Sequence, residues 1–361
     1  MRVLLVDLDT DWRGGQSQAL LLLQGLRARG HDAELLSVSG AALAERARAA
    51  GVPVHAVRGG AFRRAQAARL LRRLLREHRF DIVHANEAHA LTAAWLARAH
   101  HSVSLVAARR VLFPLRRGAI ALARYRAAVC IVAISSAVRS ELCAAGIDPA
   151  RIEVVPDGVE LASPIAAEER SRARAHWGLP DDAPVAGYVA SFTAEKGHAL
   201  LLDAFAELRR SVPSCRLLLA GTGPLQDSLQ ERARAAGTLP AVRFAGFLDD
   251  LRSAYAACDV FLFPSLREGL GSALLMAMGC ALPVVALEGG SIGEVLENGR
   301  NGLVVQAEAG QLAAAAALLL SDGELARRLG EAARETVRMK FSVDRMVEAT
   351  ERIYQRLTGR G

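Results

Sequence analysis

Only two lysines occur in this chain of 361 residues, Lys196 and Lys340, and every other cationic side chain of the Lys/Arg type is arginine. Lys196 stands in the stretch VASFTAEKGHALLLDAF, between an apolar run and a helical pattern. An ammonium is a compact point charge with three donors, suited to a phosphate oxygen. Ser191 precedes it in the same turn, and Gly197 follows it and lets the next helix begin close to a ligand. The competing reading is a solvated lysine at a helix start.

The richest turn is FPSLREGLGSALLMAMGCALPVVALEGG. Glu268 lies between a buried apolar run and a helix entered through Gly269, Leu270, Gly271 and Ser272, with Met276 one turn further on. A carboxylate here can accept hydrogen bonds from sugar hydroxyls, while backbone N–H groups at the helix start face a diphosphate. A first-turn glutamate complementing the helix dipole is the plainer alternative. Gly289-Gly290 follow the next apolar run, and Ser291 and Glu294 then have capping-box spacing, which reads as structural.

Two places in the first half offer polar groups. The turn DLDTDWRGGQSQALLLLQGL has Gly14-Gly15 before a helix, without the GxGxxG spacing of a dinucleotide site. The stretch DIVHANEAHA clusters His84, Asn86, Glu87 and His89 at the end of an apolar run, and AARRVLFPLRR follows the next one with Arg109 and Arg110. Polar clusters at adjacent strand ends read as an acceptor site made of His84, Asn86, Arg109 and Arg110, set against packing roles for the same side chains.

These residues need elements to hold them. Strands are expected at Val3–Val6, Ala33–Val38, Val54–Val57, Ile82–His84, Leu105–Ala107, Cys130–Ile134 and Ile152–Val155. A second series is expected at Val185–Val189, Arg216–Ala220, Val242–Ala245, Val260–Phe263, Pro283–Leu287 and Leu303–Val305. Apolar runs alternating with helical patterns indicate parallel sheets covered on both faces. Two series mean two α/β domains, with doubly wound, Rossmann-like parallel sheets. The pattern lapses near 158–182, which sets domains at 1–165, joined by a C-terminal amphipathic helix at 342–361, and at 166–341. Ligands of such sheets bind beyond the carboxyl ends of the strands, where every turn named above falls.

Composition narrows the classes. Half the residues are apolar, enough for two cores. Five scattered cysteines without CxxC spacing exclude a zinc framework and fit a reducing, cytoplasmic setting. No apolar run approaches the roughly 20 residues of a membrane span. Residues 1–165 carry 23 arginines against 14 acids, the remainder 22 basic groups against 24 acids, so an anionic partner belongs with the first half. Aromatic stacking platforms are sparse, which argues against nucleic acid. In FRRAQAARLLRRLLREHRF, Arg69, Arg72, Arg73 and Arg76 share a helical face opposite Leu71, Leu74 and Leu75. Such a face suits peripheral contact with an anionic membrane, or simply water.

Taken together, GG near the start, LRARGHDAELLSV, DIVHA, AISSAVRSELCAAGIDPARIEVVPDGVE, EKGH, EGLGSALLMAMGCALPVVA, a later GG with a following Glu, and NGLVV resemble the retaining GT-B glycosyltransferases of family 4. The likeness covers nearly the whole chain in order and spacing. It implies two domains facing across a cleft, a nucleotide-diphosphate sugar held mainly by the C-terminal one, and a saccharide or lipid-linked acceptor held by the N-terminal one. It implies that Lys196 neutralises the donor diphosphate, that Glu268 holds donor-sugar hydroxyls, and that Gly14 and Gly15 lie near phosphate and acceptor. It implies no metal and no cofactor beyond the nucleotide-sugar co-substrate. Three positions depart from the family pattern. Met276 replaces a second Glu, Ser191 replaces an Arg, and Arg109-Arg110 stand where a His is often found. A sugar-nucleotide epimerase or hydrolase on the same scaffold, and a catalytically weak nucleotide-sugar-binding protein, are the competing functions.

Overall fold

The computed structural model describes residues 1–115, 118–161 and 163–359. The chain divides into two units, Met1–Gly158 with Ser342–Gly361, and Val159–Phe341. In the first, strands β1 (Arg2–Val6), β2 (Asp32–Val38), β3 (Val54–Val57), β4 (Ile82–Ala85), β5 (Ser104–Arg109), β6 (Cys130–Ala133) and β7 (Ile152–Val154) form one parallel sheet. Their spatial order is β3-β2-β1-β4-β5-β6-β7. In the second, β8 (Val185–Val189), β9 (Arg216–Ala220), β10 (Val242–Gly246), β11 (Val260–Phe263), β12 (Val284–Leu287) and β13 (Leu303–Val305) pair in the order β10-β9-β8-β11-β12-β13, again all parallel. Each apolar run read from the sequence forms its strand, because a short Val/Leu/Ile stretch flanked by turn residues loses most by staying exposed.

Both faces of each sheet are covered. Val3 to Val6 of β1 and Val260 to Phe263 of β11 are all within 2% of full burial. In the first unit, helix Gly14–Ala28 packs on the last helix, Val343–Thr358. A Cβ on Gly25 would lie 2.4 Å from Val347 Cγ2, so only glycine permits this approach. Met346, Val347, Ile353 and Tyr354 of that last helix join Leu22, Leu26, Val3 and Leu35 in one core. The chain's end is therefore part of the first unit's interior, and Arg360 and Gly361 lie outside the described residues.

The charged segment after Gly158 contains a helix, Ala167–Trp177, held to the second unit through Arg252 and Glu169 at 2.5 Å and through Arg174 and Asp259 at 2.6 Å. Among the described residues no helix is long and apolar enough to cross a membrane. Helix Arg63–Glu77 buries Ala67, Ala68, Leu71 and Leu74 and turns Arg69, Arg72, Arg73 and Arg76 to solvent.

Candidate functional site

In the second unit the strand order reverses between β8 and β11, and ligands of doubly wound sheets bind beyond the carboxyl ends of strands at such a point. Lys196 leaves β8 and Glu268 leaves β11. Lys196 Nζ donates to Glu268 Oε2 at 2.8 Å, the two side chains being 23% and 15% exposed. Ser265 Oγ donates to the same oxygen at 2.8 Å, and Ser291 Oγ donates to the Glu268 carbonyl at 3.2 Å. The carboxylate is thus held by a cation and a hydroxyl while its backbone is pinned from the β12 side.

The backbone explains how the two loops come so close. Leu266 N donates to Glu195 O at 2.9 Å, and Tyr188 OH donates to Lys196 O at 3.0 Å. Gly197 has φ +70°, and a Cβ there would lie 2.0 Å from Pro264 O, so any side chain would force the loops apart. Gly271, at φ +94°, turns the chain into helix Ser272–Gly279 and leaves its first N–H groups without a side-chain cap. These amides and the Lys196 ammonium form an electropositive pair beside Glu268, an arrangement that can hold a phosphate next to a polyol.

Gly269 and Leu270 are buried, Ser272 and Met276 half-buried, and Ser191 exposed with its hydroxyl 3.5 Å from Thr193 Oγ1. Ser291 does not make its half of the capping box expected with Glu294. Ser291 gives its helix no side-chain cap and spends its hydroxyl on Glu268 instead. Sequence reading also passed over His198. Its ring lies between Tyr188 and Phe192, with centroids 4.9 and 4.8 Å away. Burial, with the Lys196 charge adding to it, lowers its pKa to about 4 and keeps the imidazole neutral. Ser265 was missed as well; its one signal was a hydroxyl three residues before Glu268.

The first unit has its own reversal, between β1 and β4. Gly14 and Gly15 open the helix after β1, and Asn86 follows β4 directly. Asn86 Nδ2 donates to Asp7 Oδ2 at 2.7 Å and to Gly15 O at 3.1 Å, while Gln16 Nε2 donates to Asp7 Oδ2 at 3.1 Å. Burial raises the pKa of the Asp7 carboxyl, against these donors. Arg110 forms an ion pair with Asp157 and sends Nε to Asn86 Oδ1 at 3.4 Å. Arg109 donates to Tyr125 OH at 3.3 Å and to the Phe113 carbonyl.

The residues of the expected acceptor set are largely buried. His84 is 1% exposed, its Nδ1 is 2.6 Å from Tyr354 OH, and burial drops its pKa to about 3, with Arg110 adding to the shift. Asn86 is 2% and Arg109 8% exposed, and the Arg110 side chain is 13% exposed. All four side chains find partners within the unit, because β4 and β5 are covered on both faces, although His84 Nε2 and Arg109 Nε are buried without a hydrogen-bond partner. Arg116 and Arg117, which close the AARRVLFPLRR stretch, lie outside the described residues.

What does gather at the mouth of β4 is Asp9, Glu87 and His89, whose ligand-capable atoms lie within 4.8 Å of one another. The turn carrying Asp9 has acids at alternate positions, Asp7, Asp9 and Asp11, a spacing the expectation of no metal passed over. Glu87, however, is the N-cap of helix Ala88–Leu96. It accepts from Ala90 N at 2.6 Å, from Leu8 N at 3.2 Å and from His89 N. Burial, followed by the Asp7 charge, raises its pKa to about 8.

Comparison with known proteins places this geometry in a family. Glycosyltransferase Family 4 matches residues 12–163, and Glycosyl transferases group 1 matches residues 169–336. A D-inositol 3-phosphate glycosyltransferase of Kineococcus radiotolerans is 32% identical over 315 residues, covering 78% of this chain and 72% of that one. The lipopolysaccharide core biosynthesis glycosyltransferase LpsE of Rhizobium meliloti is 35% identical over 177 residues, covering 49% and 51%. Across three of the curated relatives it matches, the chain spans 54%, 64% and 51% of their length. The crystal structure of HepE from Anabaena, in complex with UDP and glucose, superposes with a TM-score of 0.85 at 22% identity over 98% of this chain and 99% of that one, a likeness of fold. With one relative aligned over most of both lengths and two family models meeting near the boundary of the two units, the chain belongs to the family 4 glycosyltransferases of GT-B fold.

Proposed function

We propose that this chain transfers a sugar, with retention, from a nucleotide-diphosphate sugar to an acceptor hydroxyl in the building of a cell-envelope saccharide or glycolipid. The observation that carries the reading is the Lys196–Glu268 contact at the β8/β11 reversal, 2.8 Å long and partly open to solvent. A nucleoside diphosphate leaves readily once its growing negative charge meets fixed positive charge. Lys196 and the uncapped amides at Ser272 supply that charge, and Glu268, relieved of its cation by the incoming diphosphate, accepts donor-sugar hydroxyls. Gly269, Leu270 and Gly271 let the backbone approach the donor.

On this reading the leaving charge is met by Lys196 and helix amides, and the reaction requires no metal or cofactor. Retention follows from the family resemblance, with the acceptor attacking the face the diphosphate leaves. Ser191 and Met276 leave the phosphate and ribose contacts to other groups than the family's usual Arg and Glu. Relatives supply the substrate class: HepE crystallised with UDP and glucose, and LpsE by its name builds a lipopolysaccharide core. The proposed place of action is the cytoplasm.

The test is a melting-temperature screen of UDP-, GDP- and ADP-sugars, since a ligand binding only the folded state raises it. Transfer to saccharide acceptors is then followed by mass spectrometry with and without EDTA. Absence of any shift from folded protein defeats the donor reading. Donor consumption without acceptor would favour the epimerase or hydrolase, and binding without turnover the binding protein.

A further inference from the structure

The second unit has a cavity of about 380 Å³ at the sheet edge opposite the Lys196–Glu268 site. Helix Ala167–Trp177 ends beside it, and the first residues of β9 and β10 complete its wall. Lys196 and Glu268 follow the carboxyl ends of β8 and β11, whereas Arg216 and Val242 begin their strands. At about 3.3 Å per residue, a strand of the five-residue length of β8 sets the two edges about 16 Å apart. The cavity is therefore separate from the donor site.

Its lining is rich in donors. Arg216, Arg243, His176 and Trp177 line it, and no carboxylate does. The β9–β10 register sets Arg243 beside Leu218, two positions beyond Arg216, so both arginine side chains leave the same face of the sheet. Among the described residues neither arginine has an ion-pair partner. Trp177 is 7% exposed, and its Nε1 donor is buried without a hydrogen-bond partner. A buried indole N–H ordinarily finds an acceptor, and leaving it unpaired costs stability. The His176 ring stands edge-on to Trp177, with centroids 4.4 Å apart. The end of the helix does not supply the missing acceptors, since Gly178 N donates to Ala175 O at 3.1 Å and Leu179 N to Arg174 O at 2.9 Å. Leu179, Pro240, Ala241 and Val242 make up the apolar part of the wall.

Two unpaired guanidinium groups on one face match the double charge of a phosphate monoester, and the apolar wall matches a compact organic body behind it. The volume lies at the lower end of the roughly 300–1,000 Å³ of small-molecule sites, a size for a sugar phosphate rather than a nucleotide sugar. We propose that Arg216, Arg243, His176 and Trp177 form a binding site for a small phosphate monoester, separate from the nucleotide-sugar site. The bound ester ties the end of helix Ala167–Trp177 to the starts of β9 and β10. The site stands on its own residues, whether or not the chain transfers sugar.

The experiment titrates ribose 5-phosphate and inorganic phosphate calorimetrically into the full chain and into Arg216→Gln, Arg243→Gln, Trp177→Phe and Lys196→Ala. Thermal unfolding of each sample without ligand checks its fold, and Arg243 is exposed, so its variant keeps the fold intact. The ester should bind the wild type more tightly than inorganic phosphate does. Each arginine variant should weaken the ester about 10-fold, the worth of one charge-assisted contact. Trp177→Phe keeps the aromatic wall and removes the N–H, for a loss of about threefold or more. Lys196→Ala should leave the ester's affinity unchanged. Absence of ester binding by the wild type, equal binding of ester and inorganic phosphate, or wild-type affinity in Arg243→Gln overturns the proposal. Loss of binding in Lys196→Ala with both arginine variants unaffected would put the ester in the donor site and overturn it as well.

Discussion

Replacing Lys196 by alanine separates its structural from its chemical role. The ion pair it makes with Glu268 is partly open, at 23% and 15% exposure, so its loss falls between the 0.2–1 kcal/mol of surface pairs and the roughly 3–5 kcal/mol of breaking a buried one. Glu268 keeps the Ser265 hydroxyl at 2.8 Å and gains water where Nζ stood, which sets the cost at about 1–2 kcal/mol. For a unit the size of Val159–Phe341 that is a fall in melting temperature of about 2–8 °C. Against a stability of roughly 5–15 kcal/mol, the variant stays folded at 25 °C. The effect on transfer is larger, because the ammonium faces charge that grows only as the diphosphate leaves. Removing one such group costs about 3–4 kcal/mol in the transition state, or on the order of 100- to 1,000-fold in kcat. The assay is initial-rate sugar transfer at saturating donor, paired with thermal unfolding of the same samples. Activity within about threefold of wild type, from protein with the expected modest melting shift, would refute the assignment of Lys196 to the leaving group.

Three further outcomes follow from the contacts. Gly197→Ala, at φ +70° with its Cβ 2.0 Å from Pro264 O, should lower stability by about 3 kcal/mol or more in urea unfolding and part the two loops; an unchanged midpoint would mean the loops are not in contact. Arg110→Ala strands the buried Asp157 carboxylate and should cost about 3–5 kcal/mol, with Asp157→Asn in the same chain recovering part of it; equal stability of the single and double variants would deny the pair. His84 and His198, held at about 3 and about 4, stay neutral in the folded chain while the unfolded chain protonates near pH 6.5. Stability should therefore fall as pH drops from 6.5 toward 4, by about 1.4 kcal/mol per pH unit for each ring, and His84→Asn should flatten the slope measured by unfolding between those values.

How much was written in the sequence follows from which forces are local. Strands such as Val185–Val189 and Val260–Phe263 were legible because a short apolar run between turn residues has few places to go but a covered sheet, and the coding of two successive series gave two units. Lys196 and Glu268 were legible as turn residues, since parallel crossovers bring every strand-to-helix turn to the same sheet edge. Their 2.8 Å contact, across 72 residues, was not: it depends on β8 and β11 being neighbours and on Gly197 admitting Pro264. The burial of His84 was hidden for a related reason. Composition marked it as polar at a strand end, but both faces of its strand are covered, and its ring is buried onto a tyrosine 270 positions away. The sequence by itself determined the elements and the chemistry each turn could offer; the sheet order and helix packing decided which of those groups met each other and which were consumed inside the fold.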